Sequence, residues 1–509
     1  MIKIQVNNEM FAYDMYHISK AFLPGTEIEQ KLDLECMQAV CITMSDGRGA
    51  KKQFIIEEEE LNTLEDRKQK KRYVNLKVYD WLLHVTGKEL AWGVMTGVRP
   101  TKPMMYLMEQ GMDDLEVIGW MQETYRITEE KAHLGLAVAK KEKKLLDQLD
   151  YKDGYSLYIG IPFCPSTCSY CSFTSYSIAD WKHRVDEYLD AVCKELSFIA
   201  SVSENKKLNT VYIGGGTPTT LEPDQLERLL THLETHFSYA HLKEFTVEAG
   251  RPDSITKEKL EVLKKHNIGR ISINPQTMQQ KTLDVIGRKH TVEDVRRVYA
   301  MARELGFDNI NMDLIAGLPG ETVEDMRDTL RQIRKLAPNS LTVHALAMKR
   351  ASKMSQERKE KLIQQKSMQV GVAQIPLDGN AQQEGDEAQI ANTLSQMITL
   401  AADAAKEMDL EPYYLYRQKN IAGNFENVGY AKVDKAGIYN ILIMEEKQSI
   451  VAVGAGASTK IVVPDEKVEI DEKTGNPKRI VRLENVKDVE QYISRIDEMI
   501  ERKGELLWH

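Results

Sequence analysis

Between residues 155 and 346, short β-branched apolar runs alternate with longer amphipathic stretches, and this alternation restricts the possible folds more than any other feature. The runs are YSLYIGI, NTVYIGGG, EFTVEA, RISINPQ, NINMDLIAG and SLTVHAL. Between them lie RVDEYLDAVCKELSFIA, DQLERLLTHLETHF, KEKLEVLKKH, VEDVRRVYAMAREL and VEDMRDTLRQIRKLA, with apolar residues three and four positions apart. Strands separated by single helices pair in parallel through right-handed crossovers. The expected fold is therefore α/β, a partial (β/α)6 TIM-like barrel, with its chemistry on the loops that follow the strands.

The flanks have a different texture. Residues 1–150 begin with strand-like MIKIQV, AVCITMS and KKQFIIEEE and turn helical, which predicts a mixed α/β accessory domain. The barrel is expected over 151–348. Residues 349–390 are charged and then Gln/Gly-rich, as in a linker or mobile insertion. Residues 391–509 carry a helix, the aromatic-basic YYLYRQKN, alternating strands and a terminal helix, predicting a C-terminal α+β domain that covers the substrate.

Composition excludes some functions. A net charge of −9 argues against a general nucleic-acid binder. No apolar run is long enough to span a bilayer, and MIKIQVNNEMF reads as a strand, with no signal-peptide pattern. The six cysteines form no disulfide framework, so a reducing, cytoplasmic setting is expected, where clustered thiols read first as metal ligands.

Three of those six lie within eight positions. In YIGIPFCPSTCSYCSF, Cys164, Cys168 and Cys171 follow the first strand directly. Structural zinc normally takes four protein ligands, and no second Cys or Cys/His pair follows at a suitable distance. Three thiolates with one position left open suit a [4Fe-4S] cluster whose fourth iron receives a small molecule. Cys193 shares a helical face with Val185, Leu189, Val192, Leu196 and Ile199 and reads as a packing residue. Cys36 and Cys41 have no ligand partners in the sequence.

The stretch resembles the signature of radical S-adenosylmethionine (SAM) enzymes. Further motifs fall in barrel order: GGGTP after the second strand, Glu248 ending the third, NPQT with a trailing GR around the fourth, and DLIAGLPGET at the fifth. Together they are similar to the oxygen-independent coproporphyrinogen III dehydrogenase group. GVRPTK and YYLYRQKN…GNFENVGY point to its HemZ-type branch. The resemblance implies a [4Fe-4S] cluster held by the three cysteines, with SAM cleaved to a 5′-deoxyadenosyl radical. It further implies oxidative decarboxylation of two propionates of coproporphyrinogen III, giving protoporphyrinogen IX, with an external electron donor and acceptor. Tyr158, Gly214, Gly215, Thr217, Glu248, Gln276, Arg288 and Asp313 match the family's cofactor-contacting positions, and Tyr158 is also the catalytic candidate. Arg288 is the expected partner of the cofactor's carboxylate.

Two positions depart from that pattern. Gly160 stands where the best-studied dehydrogenases carry His, and Phe173 where they carry a further Cys, which related haem chaperones also lack. A tetracarboxylate substrate needs cations. Candidates are Arg417, Lys419, Lys460 and Lys349 or Arg350, with Tyr413, Tyr414 and Tyr416 available to the macrocycle. His344 and His183 are further candidates to face the site. Two other readings stay open: a haem-trafficking protein that keeps the cluster, and another radical enzyme acting on haem, such as an anaerobic haem-opening methyltransferase.

Overall fold

The computed structural model describes all residues except 25, 46–50, 172–174, 347–378, 418–424, 471–476 and 509, and for 379–388 it describes the backbone alone. The N-terminal sheet has the order β2 (Ile28–Leu32), β1 (Ile2–Val6), β3 (Gln38–Ser45), β4 (Lys51–Glu57). In β1, Ile2, Ile4 and Val6 are buried while Lys3 faces water, the period of two that a half-covered strand requires. Helix α1 (Glu9–Phe22) begins where the Asn8 side chain accepts the Met10 N–H, and it buries Phe11, Met15, Ile18 and Phe22. Helix α2 (Arg67–Thr86), capped by Asp66, closes the same core with Val74, Val78 and Leu82.

This core ends near residue 94. Helices α3 (Thr101–Glu109), α4 (Asp114–Tyr125) and α5 (Glu129–Leu146) send Met104, Val117, Met121 and Leu136 into the core of the following barrel. The expected accessory region of 1–150 is thus split between two cores.

The second sheet has eleven strands. Its centre is six parallel strands lying side by side in chain order: β5 (Gly154–Ile161), β6 (Lys207–Gly215), β7 (Glu244–Glu248), β8 (Arg270–Ser272), β9 (Ile310–Ala316) and β10 (Ser340–Ala345). Helices α6 (Val185–Val202), α7 (Pro223–His236), α8 (Lys257–Lys265), α9 (Val292–Glu304) and α10 (Val323–Leu336) connect them. This is the singly wound (β/α)6 arrangement. Residues after the first strand and residues on the sixth line one cavity, so the sheet curls on itself.

The C-terminal segment, expected as an α+β domain, adds strands to both edges of the barrel sheet and forms a small two-stranded ribbon of its own, Glu469–Ile470 with Pro477–Lys478. Helix α11 runs Gly379–Glu407, so residues 379–390 of the expected linker are helical. Ala, Gln and Glu, all good helix formers, fill that stretch despite its Gly-rich start. Strand β12 (Glu426–Ala431) then adds antiparallel to β10, and β11 (Glu411–Arg417) adds to β12. The chain crosses beneath the barrel as α12 (Ile438–Glu445), whose first amides, Ile438 and Tyr439, donate to the buried Glu244 carboxylate.

Strand β13 (Ser449–Val453) then joins the opposite edge, parallel to β5, followed by antiparallel β14 (Ser458–Val462) and β15 (Ile480–Glu484). Gly454 follows β13 with φ +99°, and a Cβ there would lie 2.5 Å from the Gly160 carbonyl oxygen. Gly160 itself is crowded more mildly, its Cβ position lying 3.3 Å from the Val453 oxygen. Near this seam the Glu195 carboxylate, buried on α6, pairs with the equally buried Lys503 and accepts from Tyr492 and Asn485.

Candidate active site

The inward residues of β5 to β10 follow from the registers. Tyr158 stands beside Tyr212, Tyr212 beside Thr246, Thr246 beside Arg270, Glu248 beside Ser272, and Asp313 beside Thr342. These inward positions are polar or aromatic, while Leu157, Ile159, Val211, Ile213, Val247 and Ile271 between them face the helices and are buried. The lumen opens into a cavity of about 440 Å³, within the range of small-molecule sites.

The three candidate ligand thiols all line this cavity. Phe163 leads from β5 into the cysteine loop, and its carbonyl accepts the Thr217 N–H at 2.7 Å, while the Ile161 carbonyl accepts the Gly216 N–H at 2.8 Å. The GGGTP loop is thereby laced to the cysteine loop. Gly216 has no alternative here, since a Cβ would lie 2.6 Å from the Phe163 oxygen. Cys164 Sγ is 3.5 Å from Thr217 Oγ1, and burial pushes its thiol up.

Among the described residues no three His, Cys, Asp or Glu side chains converge on one ion position. Ligands of a cubane each take a different iron and need not converge. The donor set and the wall fit such a cluster with a polar cofactor beside it. Three thiols share one cavity, and among the described residues the buried Gln276 Oε1 and Arg288 Nε have no hydrogen-bond partner. The Gln276 backbone is left-handed at φ +67°, held by its N–H on the Asp313 carbonyl and its carbonyl on the Ile315 N–H, both at 2.9 Å. Arg288 is oriented by Nη1 donating to the Asn274 carbonyl at 2.6 Å and Nη2 to the Tyr170 hydroxyl at 3.2 Å.

Glu248 has its carboxyl pushed up to about 7 by burial, helped by the nearby Asp313, while the Tyr212 hydroxyl donating to it works in the other direction. Asp313 accepts from Asn311 at 2.8 Å and lies 4.0 Å from His344 Nε2, whose Nδ1 is 3.2 Å from the Tyr416 hydroxyl. The strand ends thus form a connected polar rim around the lumen.

Of the sequence candidates, Gly215, Thr217, Glu248, Gln276, Arg288 and Asp313 line the cavity with the cysteines. Tyr158 and Gly214 do not. Tyr158 lies beside the stacked pair of Tyr212 and Tyr439, its ring centre 6.2 and 6.3 Å from theirs, and burial raises its hydroxyl. Gly214 lies against Tyr212 and the Glu248 carboxyl.

Arg417 is elsewhere: buried, donating from Nη1 to the Met95 carbonyl and lying 5.9 Å from the Trp92 ring centre, it binds the N-terminal region to β11. Lys460, on β14 and one strand in from the sheet edge, lies 3.6 Å from Glu446. Lys419, Lys349, Arg350 and Phe173 lie outside the described residues. Tyr414 and Tyr416 line the cavity and Tyr413 does not, because neighbours in a strand face opposite ways. His344 is in the wall; His183 lies in a 3-10 turn away from it.

The sequence reading missed Arg251, Arg270, Tyr170, Tyr212 and Asn274, all in the wall. Tyr212 was within reach, being two residues before Gly214 on a strand and so on its face. Arg270 opens a strand of only three residues, too short for alternation to orient it.

A lumen of this kind, with a three-cysteine loop after the first of six parallel strands, belongs to the radical SAM class. The description "Radical SAM superfamily" matches residues 158–333. Over 440 residues the chain is 39% identical to the oxygen-independent coproporphyrinogen-III oxidase-like protein HemZ of Bacillus subtilis (strain 168), a match covering 86% of this chain and 81% of that protein. The chain therefore belongs to the HemZ family within that superfamily. The heme chaperone HemW of the same organism is 38% identical over 192 residues, 38% of this chain and 50% of that one. The oxygen-independent coproporphyrinogen III oxidase of Escherichia coli (strain K12) is 32% identical over 188 residues, 37% of this chain and 41% of that one. The solved structure of coproporphyrinogen III oxidase (HemN) from Escherichia coli superposes with a TM-score of 0.49 at 20% identity, covering 70% of this chain and 73% of that one.

Proposed function

We propose that the protein oxidatively decarboxylates coproporphyrinogen III without oxygen, turning two propionates into vinyl groups to give protoporphyrinogen IX. The observation that carries this reading is the 39% identity to a coproporphyrinogen-III oxidase-like protein over 86% of the chain, flanks included. When bound, the cluster and SAM would supply a carbon-centred radical that takes a hydrogen atom from a propionate β-carbon. Cys164, Cys168 and Cys171 would hold the cluster. The Gly215–Thr217 loop, whose glycines let backbone groups approach closely, would receive the methionyl end of SAM. Arg288 Nε and Gln276 Oε1, buried and without partners among the described residues, offer one donor and one acceptor to the same molecule. Tyr414 and Tyr416 would stand against the substrate, and Arg270 supplies a cation for one of its carboxylates. An external donor would reduce the cluster, and an external acceptor would take the electron left after carbon dioxide departs.

The test is anaerobic turnover of reconstituted protein with SAM, reductant and coproporphyrinogen III. Deoxyadenosine formed together with protoporphyrinogen IX supports the proposal. A haem-trafficking role is the second reading, favoured by the 38% identity of the core to a heme chaperone. Stoichiometric haem binding with no porphyrinogen product would select it. A methylated, ring-opened product from haem would select an anaerobic haem-opening methyltransferase.

A further inference from the structure

Arg251 follows β7 by three residues, and its side chain is only 4% exposed. Nε donates to Asp253 Oδ1 at 2.9 Å and Nη2 to Asp253 Oδ2 at 2.7 Å. Nη2 also donates to Ser166 Oγ at 3.0 Å, and Nη1 to the Ser166 carbonyl at 3.0 Å. The remaining Nη1 hydrogen points to Cys168 Sγ at 3.5 Å. A guanidinium has five N–H donors in a fixed plane, and here each has a partner inside the protein. Arg251 has none left for a substrate or for SAM, although it lines the cavity.

Its partners point to a different task. Ser166 is the middle of the loop between Cys164 and Cys168, and it is tied on by donating from Oγ to the Gly287 carbonyl at 3.1 Å. Cys168 is the most buried of the three thiols, and Arg288 and the Tyr170 hydroxyl are also its neighbours. Asp253, which fixes the guanidinium plane, has His290 Nδ1 3.8 Å from its Oδ1. A positive group donating to a ligand sulfur stabilises the more negative, reduced state of an iron–sulfur centre and raises its potential. A carboxylate behind that group opposes it.

We infer that Arg251 and Asp253 form a charge pair that sets the reduction potential of the cluster through the Cys168 sulfur, with Arg251 raising it and Asp253 holding it down. Arg251 is thus a positioning residue for the cysteine loop with an electrostatic effect of its own. The inference rests on reading Cys168 as a cluster ligand.

The test is an anaerobic redox titration of the reconstituted full-length protein, followed by electron paramagnetic resonance, with iron and sulfide measured in every variant. For Arg251→Gln, the reduced-to-oxidised ratio at a fixed potential should fall about tenfold, equal to about 59 mV for a one-electron couple. Arg251→Lys keeps the charge and should fall between that variant and wild type. Asp253→Asn should move the ratio the opposite way. An Arg251→Gln protein with full iron content and the wild-type potential overturns the inference. If Arg251→Gln fails to assemble a cluster, Asp253→Asn decides alone, and an unchanged or lowered potential in that variant overturns it. A cluster that survives Cys168→Ala would instead refute the ligand assignment, a separate failure.

Discussion

The two faces of the six barrel strands alternate residue by residue, about 3.3 Å of rise apart, and are chemically opposed. Outward, Leu157, Ile159, Val211, Ile213, Val247 and Ile271 are fully buried against helices. Inward, at neighbouring positions, stand Tyr212, Glu248, Arg270, Asp313 and His344. An ordinary barrel fills its interior with branched apolar side chains. Here the outer face supplies the stability and the inner face has been given over to polar groups that bond to one another. Stability and chemistry are thus separated by the period of two in each strand.

That separation can be broken most sharply at the cysteine loop. Replacing Cys164, Cys168 or Cys171 by Ala should abolish the visible absorption of the reconstituted cluster, while Cys193→Ala, a packing change on α6, should leave it intact. Absorption spectra after anaerobic reconstitution decide this, and a cluster surviving any of the three substitutions would count against the division of roles. Next in size, Ile213→Ala on the outer face should destabilise the cluster-free protein by about 2–5 kcal/mol, measured by urea unfolding.

The inner face should show itself in pH dependence. A Glu248 carboxyl raised from 4.5 to about 7 keeps its proton in the folded state at pH values below about 7. Its contribution is present at low pH and is lost as pH rises from about 4.5 through 7, amounting to about 3 kcal/mol at 1.36 kcal/mol per pH unit. Glu248→Gln should remove that loss, so its unfolding free energy should fall less than wild type between pH 5 and 8. Equal slopes would show the carboxyl to be ionised throughout. The smallest effect is expected for Tyr212→Phe, which removes only a hydroxyl hydrogen bond, about 1 kcal/mol in stability, with the Glu248 transition moving to higher pH because a charge-stabilising donor is lost.

The alternation that separates the faces is also what made the barrel readable. Strand after strand, β-branched runs gave the six parallel elements, and a polar residue at the end of a run gave Glu248, Gln276 and Asp313. The cysteine spacing required no structure at all. Long-range pairing lies beyond such reasoning. SIVAVGAG reads as a strand, yet nothing in it says that it pairs in parallel with β5, whose contact depends on Gly454 passing over the Gly160 carbonyl. Gly160, read as a departure in the site, lies at this seam. Arg417 illustrates the opposite error. A basic residue among tyrosines suggested a substrate contact, whereas its guanidinium is committed to the Met95 carbonyl and the Trp92 ring. Arg251 sat three residues from a recognised motif, but its role depends on Ser166 and Cys168, more than eighty positions earlier.

The C-terminal segment contributes strands at both ends of the central sheet, β12 beside β10 and β13 beside β5. A fragment ending after β10 would keep every cysteine and every strand-end polar residue, yet leave two long parallel edges with unpaired N–H and C=O groups. Bare edges of that kind recruit other chains. Such an excised core should therefore precipitate, and the minimal unit that can be purified must reach at least through β13, which covers the β5 edge.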